Sequence, residues 1–242
     1  MVFSPILLSI EVAVCATSVS FVLGLFIAKQ VVKLRRLKSL VDGILTLPLV
    51  LPPTVVGFFL LLTFGRNGLL GDMLAAMDVS VVFTLAGAII AATVVSFPLM
   101  YRSARGAFEQ FDRDLIYAGR TIGMSETKIF WRVIMPGCKP GIISGLVLTF
   151  ARALGEFGAT IMLAGNIPGK TQTMSLAIYS AVASGNREKA YMWVAIIMLI
   201  SFTCMFLMNI FAARTRKSVK AGAAAGSIIK DEKSLPEGTA IL

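Results

Sequence analysis

Residues 6–28, ILLSIEVAVCATSVSFVLGLFIA, form an apolar run long enough to decide the fold. A bilayer presents roughly 30 Å of hydrocarbon, and a helix rising about 1.5 Å per residue crosses it in about 20 apolar residues. Four further runs follow at Gly43–Phe64, Val81–Tyr101, Gly141–Ala164 and Ala190–Ala213. Lipid offers no water to open backbone groups, and a helix satisfies its own. The five runs, counted from Ile6–Ala28, therefore predict an all-α polytopic membrane helix bundle with five transmembrane helices. Composition agrees: of 242 residues 57% are hydrophobic and only 15% charged, with a mean hydropathy of +0.84. That much apolar surface exceeds what a soluble domain of this size can hide, since such domains carry about 25% charge. The first run is too long for a cleavable signal peptide, and its positive charge follows rather than precedes it, so it is read as a span.

The net charge is +10, with the basic residues gathered at the ends of the apolar runs. This is how topology is set in membranes, and without a basic–aromatic module it does not indicate nucleic acid. Lys29, Lys33, Arg35, Arg36 and Lys38 separate the first two runs, and only Arg66 lies between the second and third. Seven basic residues from Arg102 to Lys139 follow the third run, three (Lys170, Arg187 and Lys189) follow the fourth, and six lie in the tail. Alternate sides thus carry 18 and 4, with Arg152 inside a span. The positive-inside rule puts the N-terminus outside, in the periplasm, and the C-terminus in the cytoplasm. That orientation requires an odd number of spans. The expected organisation is a transmembrane domain over 1–213, including a cytoplasmic loop at 102–140, and a Gly/Ala-rich then polar tail over 214–242, read as disordered. Neither a repeat of solenoid period nor a pair of matching halves is evident.

Several chemistries are excluded. Without histidine, neither histidine catalysis nor histidine–metal ligation is open to the chain. Cys15 and Cys204 lie within apolar runs and Cys138 beside a basic loop, which fits neither a disulfide framework nor a metal site. No P-loop of the G-x-x-x-x-G-K-[ST] type occurs, so any ATP hydrolysis belongs to another polypeptide. No cofactor and no catalytic residue is expected.

The segment from Arg102 to Lys139 is too long for a simple turn. Phe108, Phe111, Leu115, Ala118, Gly119 and Ile122 recur at spacings of three and four, which predicts a short amphipathic helix. Gly123 stands where a C′ glycine ends it, Ser125 is an N-cap for the next helix, and Glu126 suits that helix's first turn. Ile129, Phe130, Val133 and Ile134 supply an apolar face, and Pro136 and Pro140 are expected to punctuate the return to the membrane. Periodicity alone leaves two readings: a helix lying on lipid headgroups, or a docking element for a soluble partner.

Within the fourth run, Arg152 and Glu156 are four residues apart and share a face of a continuous helix. A charge at the bilayer centre costs at least about 2.5–3.5 kcal/mol, so these residues should face protein or a water-filled path. They are either an ion pair fixing helix packing or part of a translocation path or gate. Ala151, Ala153, Gly155, Gly158 and Ala159 favour close helix approach. In the second run Pro48, Pro52 and Pro53 interrupt the hydrogen-bond ladder. The result is a packing kink or a pore-lining bend, with Thr54 placed to touch an anion in the second case. Ser96 and Pro98 invite the same pair of readings in the third run. Met192, Met198, Met205 and Met208 are read as packing, and the external segment from Gly165 to Lys189 as polar enough to meet a soluble partner.

The stretch Tyr117-Ala118-Gly119-Arg120-Thr121-Ile122-Gly123-Met124-Ser125, followed by Phe130, Ile134 and Met135-Pro136, resembles the EAA loop of ABC importer permeases. Tyr117 stands where the family pattern has Glu, and Gly119 where it has Ala. Leu47 to Gly57, Gly65-Arg66-Asn67-Gly68, Leu154 to Thr160 and Asn166 to Thr171 resemble the corresponding parts of molybdate ABC permeases, and the likeness runs from about Ser4 to Phe211. It implies a type I ABC importer permease (MetI-like) fold and a homodimer in the cell inner membrane. It also implies a cytoplasmic ATPase docked on Tyr117, Ala118, Gly119, Gly123, Met124, Ser125, Phe130 and Pro136, and a periplasmic molybdate-binding protein on the other side. The pathway candidates are Pro52, Pro53, Thr54, Ser96, Arg152 and Glu156. Sulfate permeases share the general pattern, and a scaffold or channel without an ATPase is the reading from another class.

Overall fold

The computed structural model describes residues 3–210 apart from positions 35, 67, 69 and 208. Arg35, Asn67, Met208, the end of the fifth run at Ala213 and the whole 214–242 tail therefore lie outside the described residues. Within them, regular structure is entirely helical. Four helices are long and apolar enough to cross a membrane, and a fifth passage is a bent pair.

Helix α1 (Phe3–Val31) packs against α5 (Leu85–Glu109), which runs through the middle of the bundle. Small side chains make this approach possible: Ala13, Ala16, Ala88, Ala92 and Ala153 are all within one cluster at 3% exposure or less. Where lipid supplies no hydrophobic drive between helices, close backbone packing of this kind holds them together. Gly24 lies at a close crossing of α1 with α5; a Cβ there would lie 2.9 Å from Met100 Cγ. Thr84 caps α5, its hydroxyl accepting from Gly87 N–H. The opposite surfaces are apolar and open, with Leu7, Val22 and Phe26 of α1 exposed. So are Met198, Leu199 and Phe202 of the last described helix, α11 (Arg187–Leu207). So wide an apolar exterior fits lipid and packed partners rather than water.

The second run departs from the expected continuous, kinked span. It divides into α2 (Lys38–Val50) and α3 (Pro53–Phe64), inclined at 109°. Pro48 sits inside α2 without ending it; the break falls on Leu51 and Pro52 alone. A residue preceding proline is driven out of the helical region. Leu51 and Pro52 both precede one, and both are extended, with ψ of 143° and 136°. Pro53 then opens α3 at a position where no N–H is required.

The fourth run differs in the same sense. A single helical stretch covers Glu126–Leu154, made of a short turn α7 (Glu126–Ile129), a π-helical turn Phe130–Ile134 and α8 (Met135–Leu154). Pro136 and Pro140 therefore do not punctuate the return to the membrane. A proline ring clashes with the carbonyl four residues back, and the wider π turn just ahead of Pro136, where Met135 N–H reaches Phe130 O, gives it room. The true break comes later, at Gly155–Phe157, after which α9 (Gly158–Ala164) completes the passage. The third passage also runs past its expected end at Tyr101 to Glu109, so Phe108 belongs to α5, and the next helix, α6 (Arg113–Thr121), starts at an Asp112 cap. Two short helices, α4 (Gly71–Ala75) and α10 (Met174–Ala183), lie in the remaining connections; Ser9 Oγ of α1 accepts from Met174 N–H at 2.7 Å and pins the start of α10.

Candidate functional site

The breaks in the two passages meet. A Cβ on Gly158 would lie 3.0 Å from Pro53 Cβ and 3.1 Å from Thr54 N, and one on Gly57 only 2.7 Å from Ala159 Cα. Helices α3 and α9 thus touch backbone to backbone just where each begins. The reason is local: paired prolines start one, glycines frame the other, and the absence of side chains at Gly57 and Gly158 lets them close.

Glu156 occupies the gap between α8 and α9, not a helix face as a continuous span would require. Its carboxylate works in two directions. Oε1 accepts from Ala159 N–H at 2.7 Å, satisfying an amide at the start of α9, and Oε2 pairs with Arg152 Nη1 at 2.7 Å. The Glu156 side chain is 2% exposed and that of Arg152 30%. The pair is therefore asymmetric, with a sequestered anion and a cation that reaches outward. Next to Glu156, the Phe157 ring lies 5.4 Å from that of Tyr179 on α10, itself half exposed. Of the expected pathway residues, the structure brings Pro53 and Thr54 to the break that holds Glu156, with Pro52 in the adjoining elbow. Ser96 stands apart: it is fully buried in α5, its hydroxyl turned onto Thr93 O of the same helix at 3.5 Å.

The second feature is the cap formed by α6 and α7. Gly123 has φ +77°, a left-handed conformation that glycine adopts without strain. Around it Gly123 N–H donates to Arg120 O and Met124 N–H to Gly119 O, the two bonds of a Schellman turn. Ser125 Oγ accepts from Lys128 N–H, as an N-cap should. Arg120 Nε reaches Glu126 Oε1 at 2.6 Å across the turn, and holds the Glu126 carboxyl below its usual range. The interior of the cap is Ile129, fully buried, with Gly119 leaving just enough space for it. Phe130 is buried as well, its ring lying between Phe108 and Trp131 and under Lys29 Nζ at 3.7 Å. Gly119 and Phe130 therefore shape the cap from inside. What it presents outward is Leu115, Tyr117, Ala118, Ile122, Ser125 and Trp131. Ile122 and Trp131, 76% and 62% exposed, were not among the expected docking residues; their signal in the sequence is a large apolar residue on either side of a polar turn.

A third cluster was not anticipated from the sequence. Where α2 begins and α5 ends, Lys38 Nζ pairs with Glu109 Oε1 at 2.7 Å, Arg105 Nη1 with Asp42 Oδ1, and Arg105 Nε with Glu109 Oε1 at 3.3 Å. The Arg105 guanidinium lies 5.9 Å from the ring of fully buried Tyr101. Two i,i+4 charge pairs, Lys38/Asp42 and Arg105/Glu109, were the available signal. Among the described residues no group of acidic, cysteine or histidine side chains is placed to hold a metal ion.

Residues 20–217 match the family model described as binding-protein-dependent transport system inner membrane component. The chain is 41% identical over 214 residues to the molybdenum transport system permease protein ModB of Escherichia coli (strain K12), covering 88% of this chain and 93% of that one. It is 39% identical over 225 residues to the ModB of Haemophilus influenzae, covering 92% and 98%. Among solved structures, an inward-facing MetNI methionine ABC transporter superposes with a TM-score of 0.68 at 16% identity, covering 87% of this chain and 94% of that one. A bacterial ABC transporter that imports alginate does so at 0.67 and 16%, covering 86% and 79%. At such identities these structures speak for the fold alone.

Proposed function

The chain belongs to the family of binding-protein-dependent transport system inner membrane components, and from that premise we propose that it is the permease subunit of an ABC importer for molybdate, with tungstate as a close alternative cargo. The observation that carries the substrate is the identity of about two residues in five to ModB permeases over nearly the whole chain. The fold is that of a type I importer permease. The chain transports and does not hydrolyse: ATP is consumed by a separate cytoplasmic subunit seated against Tyr117, Ala118, Ile122, Ser125 and Trp131. Gly119, Gly123, Met124 and Phe130 keep that cap in shape, and Pro136 carries it into α8. Two copies form the pore, and a molybdate-binding protein docks on the outer side, where the Gly165–Thr173 loop is braced by Asn166, Gln172 and Ser180.

In this reading ATPase closure moves the cap as a rigid body, and the motion opens and shuts the pore between the two broken passages. Arg152, outward-reaching yet tethered to Glu156, supplies positive potential near the path without a deep anion trap. Pro52, Pro53 and Thr54 form the hinge side of that gate. The 18-to-4 asymmetry of basic residues supports a periplasmic N-terminus and a cytoplasmic C-terminus.

The test is uptake of labelled molybdate by the complex reconstituted with its ATPase and binding protein, challenged with excess tungstate or sulfate. Tungstate should compete and sulfate should not. Strong competition by sulfate refutes the substrate, and purification without an ATPase partner refutes the importer reading.

A further inference from the structure

Helix α2 is weakly held by apolar packing. None of its residues is buried, and Leu40, Ile44, Leu47 and Val50 are 50–80% exposed. At its far end it is bent away from α3 by 109° across Leu51–Pro52. Its near end is tied to the bundle by Val41 and Leu45, partly buried against the Met100–Tyr101 cluster, and by charge. Lys38 and Asp42, one turn apart on α2, face Glu109 and Arg105, one turn apart on α5. The set is closed and neutral, and each side chain is only partly exposed, between 21% and 36%, so solvent screens it less than a surface pair. It also stands at a junction. Only Gln110, Phe111 and Asp112 separate Glu109 from the first residue of α6. Phe111 is seated against Gly137 of α8, in the space a side chain there would fill.

We propose that Lys38, Asp42, Arg105 and Glu109 are positioning residues for transport. They clamp α2 to the end of α5, so that displacement of the cytoplasmic cap is delivered through α2 to the Leu51–Pro52 elbow and thence to the Thr54–Gly158 contact. Without the clamp, the cap moves while the elbow stays slack. With it, α2 is a lever whose other end abuts the break holding Glu156. A coupling of this kind requires an element with two arrangements that both sites bias, not mere adjacency; the proposal assigns that role to α2, a half-helix ended at consecutive prolines and fastened by ion pairs. The proposal rests on the transport reading above, since it assigns how that transport is driven.

The charge pattern permits a specific test. Arg105→Asp leaves three carboxylates, two of them Asp42 and Glu109, around the single cation Lys38. Asp42→Arg leaves three cations facing one carboxylate. Combining the two makes α2 wholly cationic and the end of α5 wholly anionic at this contact, restoring attraction. In the reconstituted complex, each single variant should lower the molybdate moved per ATP hydrolysed by at least about fivefold, the lower end of a site-to-site coupling, and the double variant should recover most of it. In parallel, nitroxides at Ile44 and Arg102, both exposed, are introduced in a background lacking Cys15, Cys138 and Cys204. With labelled and unlabelled copies mixed so that most complexes carry one labelled protomer, the distance within that protomer should be narrow in the parent and in the swapped pair, and broad in each single variant. Single variants with the parental transport ratio, or a swap that restores neither readout, overturn the proposal. If the parent moves no molybdate, the distances still decide the clamp: a pattern of narrow, broad and narrow sustains it while the transport reading fails.

Discussion

The Arg152–Glu156 pair makes an asymmetric demand on mutation. Glu156 is sequestered and holds one backbone amide, whereas Arg152 keeps access to the outside. Arg152→Ala therefore strands a carboxylate at 2% exposure, and removing one partner of a buried pair costs about 3–5 kcal/mol. Glu156→Gln strands a guanidinium that is 30% exposed, and the glutamine oxygen can still accept from Ala159. That loss is discounted by solvent to about 1–2 kcal/mol. A difference of roughly 2–3 kcal/mol corresponds to about 4–12 °C in a chain of this size. The assay is the temperature at which detergent-solubilised complex loses its monodisperse peak in size-exclusion chromatography, with the exposed Lys170→Ala as control. Arg152→Ala should fall furthest, Glu156→Gln by a few degrees and Lys170→Ala not at all. Adding Glu156→Gln to Arg152→Ala should recover part of the loss. Equal shifts for the two single variants, or a reversed order, would show that Glu156 is not the sequestered partner and would refute the argument.

Other perturbations test the cap and the helix contact. Gly123→Pro removes the N–H that Arg120 O accepts and cannot adopt φ +77°; uptake should vanish while membrane insertion, measured by carbonate extraction, stays intact. Because the Glu126 carboxyl lies below its ordinary value of 4.5 in the folded cap, its pairing with Arg120 contributes fully above pH 4.5 and is lost as pH falls through the lower folded value. In a Trp193→Phe background, Trp131 fluorescence should be flat from pH 8 to 5 and change below, and Glu126→Gln should abolish that step. Gly57→Val places atoms on the α9 backbone, where a Cβ alone would lie 2.7 Å from Ala159 Cα. Overpacking of this sort costs about 1–3 kcal/mol, and both thermal stability and uptake should fall, whereas Gly43→Ala, with nothing near it, should be silent. Cys138 is buried, with Sγ 3.3 Å from Ala107 O, so a permeant maleimide should label it after Cys15 and Cys204.

Much of this was legible in the chain because hydrophobicity and turn chemistry are local. Twenty apolar residues in a row demand a membrane whatever surrounds them, and a glycine followed by serine and glutamate specifies a helix end and a new beginning. The helix end at Gly123 and the Ser125 cap were therefore readable directly, while the family came from the resemblance of whole stretches such as Tyr117 to Pro136. The interruption near Pro52 was also signalled, since proline acts on its immediate neighbours.

Long-range geometry was not legible in the same way. Periodicity treats Arg152 and Glu156 as neighbours on one helix, and cannot see that the helix stops at Leu154 or that the break beyond it meets the start of α3 at Gly158. It marks Pro136 as a stop, although a π turn lets the helix pass. It ranks Ser96 with Thr54, although one is folded back on its own helix and the other lies at the break. Lys38, Asp42, Arg105 and Glu109 are unremarkable charges until the start of α2 and the end of α5 are laid side by side, bringing together residues more than sixty positions apart. Residue order alone thus specified the solvent, the number of passages and the cap. Packing in three dimensions settled which charges are sequestered, which breaks meet and which faces remain open, because burial and pairing are properties of what lies against a residue rather than of the residue itself.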